Sequence, residues 1–142
     1  MKNENLEQNK EICLGVSKAI MNGEWEKVDN LLADEFQYIG DGNPVMNKQQ
    51  YIGFMRGALC TAMTKMDMKF LRVIAQDNLV AVDYTNDMDN TGEFFGIPAT
   101  NKRIHASGQF IREVQNGKVV AEWQTTNMFG MMQQLGVIPE KK

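Results

Sequence analysis

Histidine occurs once in this sequence and cysteine twice, and no apolar run approaches the length of a membrane span. The lone His105 and the widely separated Cys13 and Cys60 leave no cluster of the kind that holds zinc. Two cysteines, each in an apolar helix-like stretch, make no disulfide framework, and buried free thiols are the expected state. Without about 18 consecutive apolar residues no transmembrane helix is expected. The polar segment Lys2 to Lys10 does not read as a signal peptide, so a cytoplasmic protein is expected. The formal charge of −3 gives no electrostatic reason to look for nucleic acid or an anionic membrane as partner. Lys141 and Lys142, the one basic run at an end, read as a solubilising tail. There is no P-loop, no dinucleotide-type glycine fingerprint and no serine in a nucleophile elbow. Gly92 and Gly96 are separated by Glu93, Phe94 and Phe95, which makes that stretch a loop and not a phosphate cradle. Neither a metal nor a cofactor is expected.

What is present is an ordinary globular balance, with 43% hydrophobic and 23% charged residues in 142. No repeat or linker interrupts it, so a single domain over residues 1–142 is expected. The first third reads as helical: Ile12, Val16, Ala19 and Ile20 recur at three- and four-residue steps, and Asn22-Gly23 supplies the stop. Trp25, Val28, Leu31 and Leu32 form the stripe of a second helix, and a short strand with Phe36 and Tyr38 runs into the turn cluster Gly40 to Pro44. Asn47 is placed to cap a third helix, with Gln50 completing a capping box and Tyr51, Phe54, Met55, Ala58 and Ala62 facing inward. Gly53 and Gly57 within that helix are expected to mark close packing against a neighbour. A short helix over Met128 to Leu135 closes the chain.

Met68–Ile74, Leu79–Tyr84, Arg103–Val114 and Val119–Thr126 carry the β-branched and aromatic bias of strands. Asn116-Gly117 between the last two predicts a tight hairpin, because both central residues of a type I′ turn need positive φ. Helices first and an antiparallel meander after them define an α+β protein. A two-residue turn pairs Val114 with Val119. Carried along both strands, this register groups His105, Ser107, Gln109 and Ile111 with Glu122, Gln124 and Thr126. It leaves Ile104, Ala106, Gly108 and Phe110 with Ala121, Trp123 and Thr125. A bulge would invert that grouping. By itself the pattern makes the apolar face core and the polar face solvent-exposed.

The succession Gly96-Ile97-Pro98-Ala99-Thr100, Lys102-Arg103 and a strand, Asn116-Gly117-Lys118-Val119-Val120, Glu122 and Trp123, and Gln133-Gln134-Leu135-Gly136-Val137-Ile138-Pro139 resembles the SnoaL-like polyketide cyclase family of the nuclear transport factor 2-like superfamily. The resemblance spans about Phe94 to Pro139. It implies a cone-shaped, curved antiparallel sheet wrapped around the N-terminal helices, a ligand cavity in the cone, and a homodimer across the outer face of the sheet. It also turns the polar row of His105, Ser107, Gln109, Glu122 and Gln124 into a pocket wall. The family's general acid–base aspartate corresponds to Gln124, and Asn127 stands where relatives often have another aspartate. An amide cannot exchange a proton near neutral pH.

Three functions compete on these residues. In a cofactor-free acid–base enzyme acting on a small apolar carbonyl compound (cyclisation, isomerisation or dehydration), Glu122 or His105 would move the proton. Gln109, Gln124 and Asn127 would hold the substrate oxygen, with Tyr51, Phe54 and Trp123 as aromatic contacts. An oxyanion donor would come from Tyr38, Tyr51 or Tyr84, and Asp83 and Asp87 are further carboxylates on the Leu79 strand. In a binding protein, the pocket persists after loss of the catalytic aspartate. In a dimeric interaction module, the apolar sheet face matters more than the cavity. The ordinary roles of Glu122 and His105 are a solvated or salt-bridged strand residue and a structural or surface histidine. The 11 methionines, clustered at Met63, Met66 and Met68 and at Met128, Met131 and Met132, suit either core packing or an adaptable pocket lining.

Overall fold

The computed structural model describes residues 5–139; Lys2, Lys141 and Lys142 lie outside them. Helix α1 (Leu6–Met21) and α2 (Trp25–Leu31) lead directly into strand β1 (Leu32–Gly40). After the two-residue β2 (Met46–Asn47), helix α3 (Lys48–Phe54) passes through a π-helical turn (Met55–Leu59) into the short α4 (Cys60–Ala62). Four long strands follow, β3 (Met63–Gln76), β4 (Leu79–Asn90), β5 (Arg103–Gln115) and β6 (Lys118–Thr126), and then α5 (Met128–Gln134). The sheet order is β2-β1-β6-β5-β4-β3. All neighbours are antiparallel except β1 and β6, which run parallel, so the expected curved antiparallel sheet carries one parallel pair. No helix among the described residues is long and apolar enough to cross a membrane.

Local chemistry explains most of these boundaries. Asn47 accepts from the Gln50 amide and Gln50 returns the bond, each at 2.9 Å, so the capping box is complete. The hairpin turn uses Asn116 at φ 52° and Gly117 at φ 77°, as a type I′ turn requires. Gly53 and Gly57 are exposed, with open space where a Cβ would stand, so close packing does not account for them. Gly53→Ala is therefore expected to stabilise the protein by about 0.5–1 kcal/mol, read as a raised midpoint in urea.

The hairpin begins as expected, with Gln115 opposite Lys118 and Val114 opposite Val119. The register then slips: Glu113 pairs with Ala121, leaving Val120 as an extra residue on β6. This bulge exchanges the faces. Arg112 lies opposite Glu122, Phe110 opposite Gln124 and Gly108 opposite Thr126, and this row faces the helices. His105, Ser107, Gln109 and Ile111 point the other way, with Trp123 and Thr125. Bulges also strengthen twist, which helps curve the sheet. The alternation along β4 is unbroken, with Val80, Val82, Tyr84, Asn86, Met88 and Asn90 all buried on the concave side.

Helix α1 crosses that concave side. Cys13, Val16, Ala19 and Ile20 pack with Val28, Leu32, Phe36, Val80, Val82, Val114 and Val119 into the larger apolar core. A second core joins Ala62, Met63, Met88, Phe94, Ile104, Ala106, Met131 and Leu135 beneath α5. Both cysteines are free thiols, and burial pushes both above their ordinary pKa.

Candidate functional site

Between helices and sheet lies a cavity of about 360 Å³, lined from both cores. Its walls are mostly apolar: Ile20 and Met21 from α1, Phe54, Met55 and Leu59 from α3 and the π turn, Met66 and Met68 from β3, and Met128, Met131 and Met132 from α5. Phe95 lies 61% exposed at its edge, held at φ 49° and stacked on Phe54 at 5.9 Å between ring centroids. A volume of this size suits a small organic molecule.

Polar groups enter from the sheet in two clusters. The first is a fully buried ion pair. Arg112 Nε donates to Glu122 Oε1 at 2.7 Å, and both side chains are almost wholly inaccessible. The same carboxylate oxygen accepts from the Tyr51 hydroxyl at 3.1 Å. Arg112 Nη1 donates onward to the Cys13 carbonyl at 2.5 Å and to Ser17 Oγ at 2.9 Å, tying α1 to the sheet. The Glu122 charge keeps the guanidinium protonated against its burial. Arginine satisfies this site because its planar fork serves several acceptors at once.

The second cluster has a direction set by Asp41. Its carboxylate, in the turn after β1, accepts from the Thr126 amide at 2.8 Å and from the Thr126 hydroxyl at 2.7 Å. Thr126 Oγ1, its proton so directed, accepts from Gln124 Nε2 at 3.0 Å. The other Gln124 N–H goes to the Tyr84 hydroxyl oxygen at 2.7 Å. The Tyr84 phenol thus accepts from Gln124 and keeps its own proton to donate. Asp41 tolerates its φ of 50°, in the left-handed region where aspartate is enriched.

All three tyrosines of the chain, Tyr38, Tyr51 and Tyr84, line this cavity. Burial foremost, with the Glu122 charge adding to it, raises each phenol above its ordinary pKa. Because the folded values lie above the unfolded ones, this contribution to stability is complete below about pH 10 and is lost as pH climbs beyond it. Alkaline titration followed by phenolate absorbance is therefore expected to give no tyrosinate signal near pH 10.5 while the protein stays folded. Three tyrosines titrating normally there would contradict the buried arrangement.

Of the residues singled out from the sequence, the structure brings Glu122, Gln124, Tyr51 and Phe54 together at the cavity. It places the other four elsewhere. His105 is on the outer face, its Nδ1 2.5 Å from Asp87 Oδ1, and its backbone is bonded to the Gln134 side chain. Gln109 is outside with Asp83, at 3.3 Å, and Trp123 lies on that same face. The bulge at Val120 separates His105 and Gln109 from Glu122 and Gln124, whereas Trp123 faces outward because it alternates with those two along β6. Asn127 is the N-cap of α5, accepting from the Gly130 amide at 3.1 Å. Asp83 and Asp87 also face outward, paired with Arg72 and His105. The sequence reading missed Arg112, Asp41, Thr126 and Asn86. An arginine in phase with Ile104, Ala106, Phe110 and Val114 was the available signal for the first.

A curved sheet holding helices and a cavity on its concave side defines the nuclear transport factor 2-like class of α+β proteins. The profile of the SnoaL-like polyketide cyclase family matches residues 11–135, and the chain belongs to that family. No curated protein matches the chain. Among solved structures it is similar to AclR, a candidate hydroxylase from Streptomyces galilaeus, with a TM-score of 0.87 and 20% identity over 97% of this chain and 87% of that one. It is similar also to a candidate SnoaL-like polyketide cyclase from Jannaschia sp. CCS1, with a TM-score of 0.87 and 17% identity over 98% and 99% of the two chains. An LEH-like epoxide hydrolase from M. tuberculosis shares the fold at a TM-score of 0.74 and 15% identity, over 92% of this chain and 90% of that one.

Proposed function

We propose that the protein binds a small, largely apolar molecule in the cavity and holds a carbonyl oxygen of that molecule with the phenol of Tyr84. The observation that carries this reading is the Asp41–Thr126–Gln124–Tyr84 chain, which leaves one oriented O–H donor among apolar walls. Glu122 has a holding role. Its Oε1 already accepts from Arg112 and Tyr51, and the pair anchors α1, so it serves the shape of the cavity more than proton transfer. The test is calorimetric titration with 2-acetylnaphthalene, an apolar ketone. One saturable site is expected, weakened about 5–10-fold in Gln124→Leu, the worth of one neutral hydrogen bond. No saturable binding to the wild type would refute the reading.

A second reading adds chemistry, favoured by Asp41. It and Glu122 are the carboxylates among the described lining residues, and Asp41 has no cationic partner there. Asp41 would take a proton from the carbon beside the carbonyl while Tyr84 donates to the developing enolate oxygen. Turnover of an enolisable ketone, followed as solvent deuterium incorporation and abolished by Asp41→Asn, would establish it.

We propose a second copy of the chain as the macromolecular partner. Ile39, Trp123, Ile111, Ala81 and Ile74 stand opposite one another in register, forming an apolar band across five strands on the outer face. Trp123 and Ile111 are each 40% exposed and Ile74 is 64% exposed. Such bands on soluble proteins mark contact surfaces.

A further inference from the structure

Two asparagines lie four residues apart on the concave face of β4, and they differ in one respect. Asn90 is fully buried and its amide is fully used: Nδ2 donates to the carbonyls of Ala62 and Gly92, and Oδ1 accepts from the backbone and hydroxyl of Thr100. Asn86 is only 8% exposed, yet its Oδ1 is buried with no hydrogen-bond partner among the described residues. Native proteins rarely leave such a group unsatisfied, and each exception calls for an explanation. Asn86 lines the cavity, one rung beyond Tyr84 along β4. Its cross-strand neighbours are Met68 on β3 and the small Ala106 on β5, with Met88 next along its own strand. The amide therefore sits in an apolar, adaptable patch with little side-chain volume on one side.

We infer that the Asn86 amide is the second polar contact of the ligand, and that the ligand is an apolar carbonyl compound bearing a hydroxyl or N–H donor at the end remote from its carbonyl. This rests on the cavity-binding reading above and narrows it to a substrate class. Two residues along a strand span about 7 Å, so a ligand bridging Tyr84 and Asn86 needs a rigid body of one or two rings between its polar ends. The Tyr84 end takes an acceptor and the Asn86 end a donor. A molecule polar at both ends is held in one orientation.

The test compares 2-acetylnaphthalene with its 6-hydroxy and 6-methoxy derivatives by calorimetry, on the wild type and on Asn86→Leu. The hydroxy compound is expected to bind the wild type about 5–10-fold more tightly than the parent, and the methoxy compound no more tightly. In Asn86→Leu that gain is expected to vanish while the parent ketone binds at least as well as before. Equal affinities of the three for the wild type would overturn the inference and leave the cavity reading standing. Failure of the parent ketone to bind would remove both. A thermal midpoint for Asn86→Leu equal to or above that of the wild type supports the inference, because a buried oxygen without a hydrogen bond adds no stability to the fold. A marked fall would assign Asn86 a structural role and overturn it.

Discussion

Glu122→Gln is expected to cost about 3–5 kcal/mol of stability, a fall of roughly 6–20 °C in thermal midpoint for a chain of this size. The guanidinium of Arg112 is buried beneath α1 and cannot shed its proton, so removing its counter-charge leaves a charge without compensation. Glutamine keeps the volume and one acceptor oxygen, which isolates the charge as the cause. Replacing both partners, as Arg112→Met with Glu122→Leu, should recover most of the loss, since two apolar side chains leave no orphan charge. Recovery stays incomplete because the Tyr51 hydroxyl, Ser17 Oγ and the Cys13 carbonyl each lose a partner. A single variant within about 1 kcal/mol of wild type would mean that water reaches the pair. The result also bears on function. Any loss of binding or turnover in Glu122→Gln has to be weighed against this structural effect before Glu122 is assigned a chemical role.

The second large effect concerns the outer face. Trp123→Glu places a charge within the Ile39–Trp123–Ile111–Ala81–Ile74 band, beside Ile111 at its middle. Loss of a buried tryptophan from an interface typically costs about 2 kcal/mol or more, which is about a 30-fold weaker association, and a charge against an apolar partner adds to it. Sedimentation of the wild type at tens of micromolar should give a dimer, and Trp123→Glu a monomer with nearly unchanged circular dichroism. The side chain is already 40% exposed in the single chain, so its replacement disturbs little of the fold. A wild type that sediments as a monomer throughout this range would contradict the dimer.

Which parts of this were legible in the sequence follows from where the information resides. Asn116-Gly117 and the Asn47–Gln50 box announce themselves because their chemistry is local: positive φ in one case, reciprocal side-chain bonds in the other. The family was legible from the order of motifs after Phe94. Faces of the sheet were not, because one bulged residue, Val120, reverses every side chain beyond it and leaves no compositional mark. That single slip parted His105 and Gln109 from Glu122 and Gln124 and set Arg112 opposite Glu122 instead. The parallel pairing of β1 with β6 joins residues some 85 positions apart, and no local pattern encodes it. Asn86 was within reach: it follows Val80, Val82 and Tyr84 in strict alternation, but only if the strand is carried on past Tyr84. Asp41 looked like any turn aspartate, and its contact with Thr126 exists only in three dimensions.

The central claim is that the cavity takes a small apolar molecule, and the methionines make it directly observable. Met21, Met55, Met66, Met68, Met88, Met128, Met131 and Met132 line the cavity, while Met63 is buried in the second core and Met46 packs against the larger one without lining the cavity. With carbon-13 at the methionine methyl groups, titration with 2-acetylnaphthalene should shift the cavity methyls in a saturable manner, through ring currents, and leave Met46 and Met63 nearly in place. Unmoved spectra at saturating ketone, or shifts that spare the cavity methyls, would contradict the account.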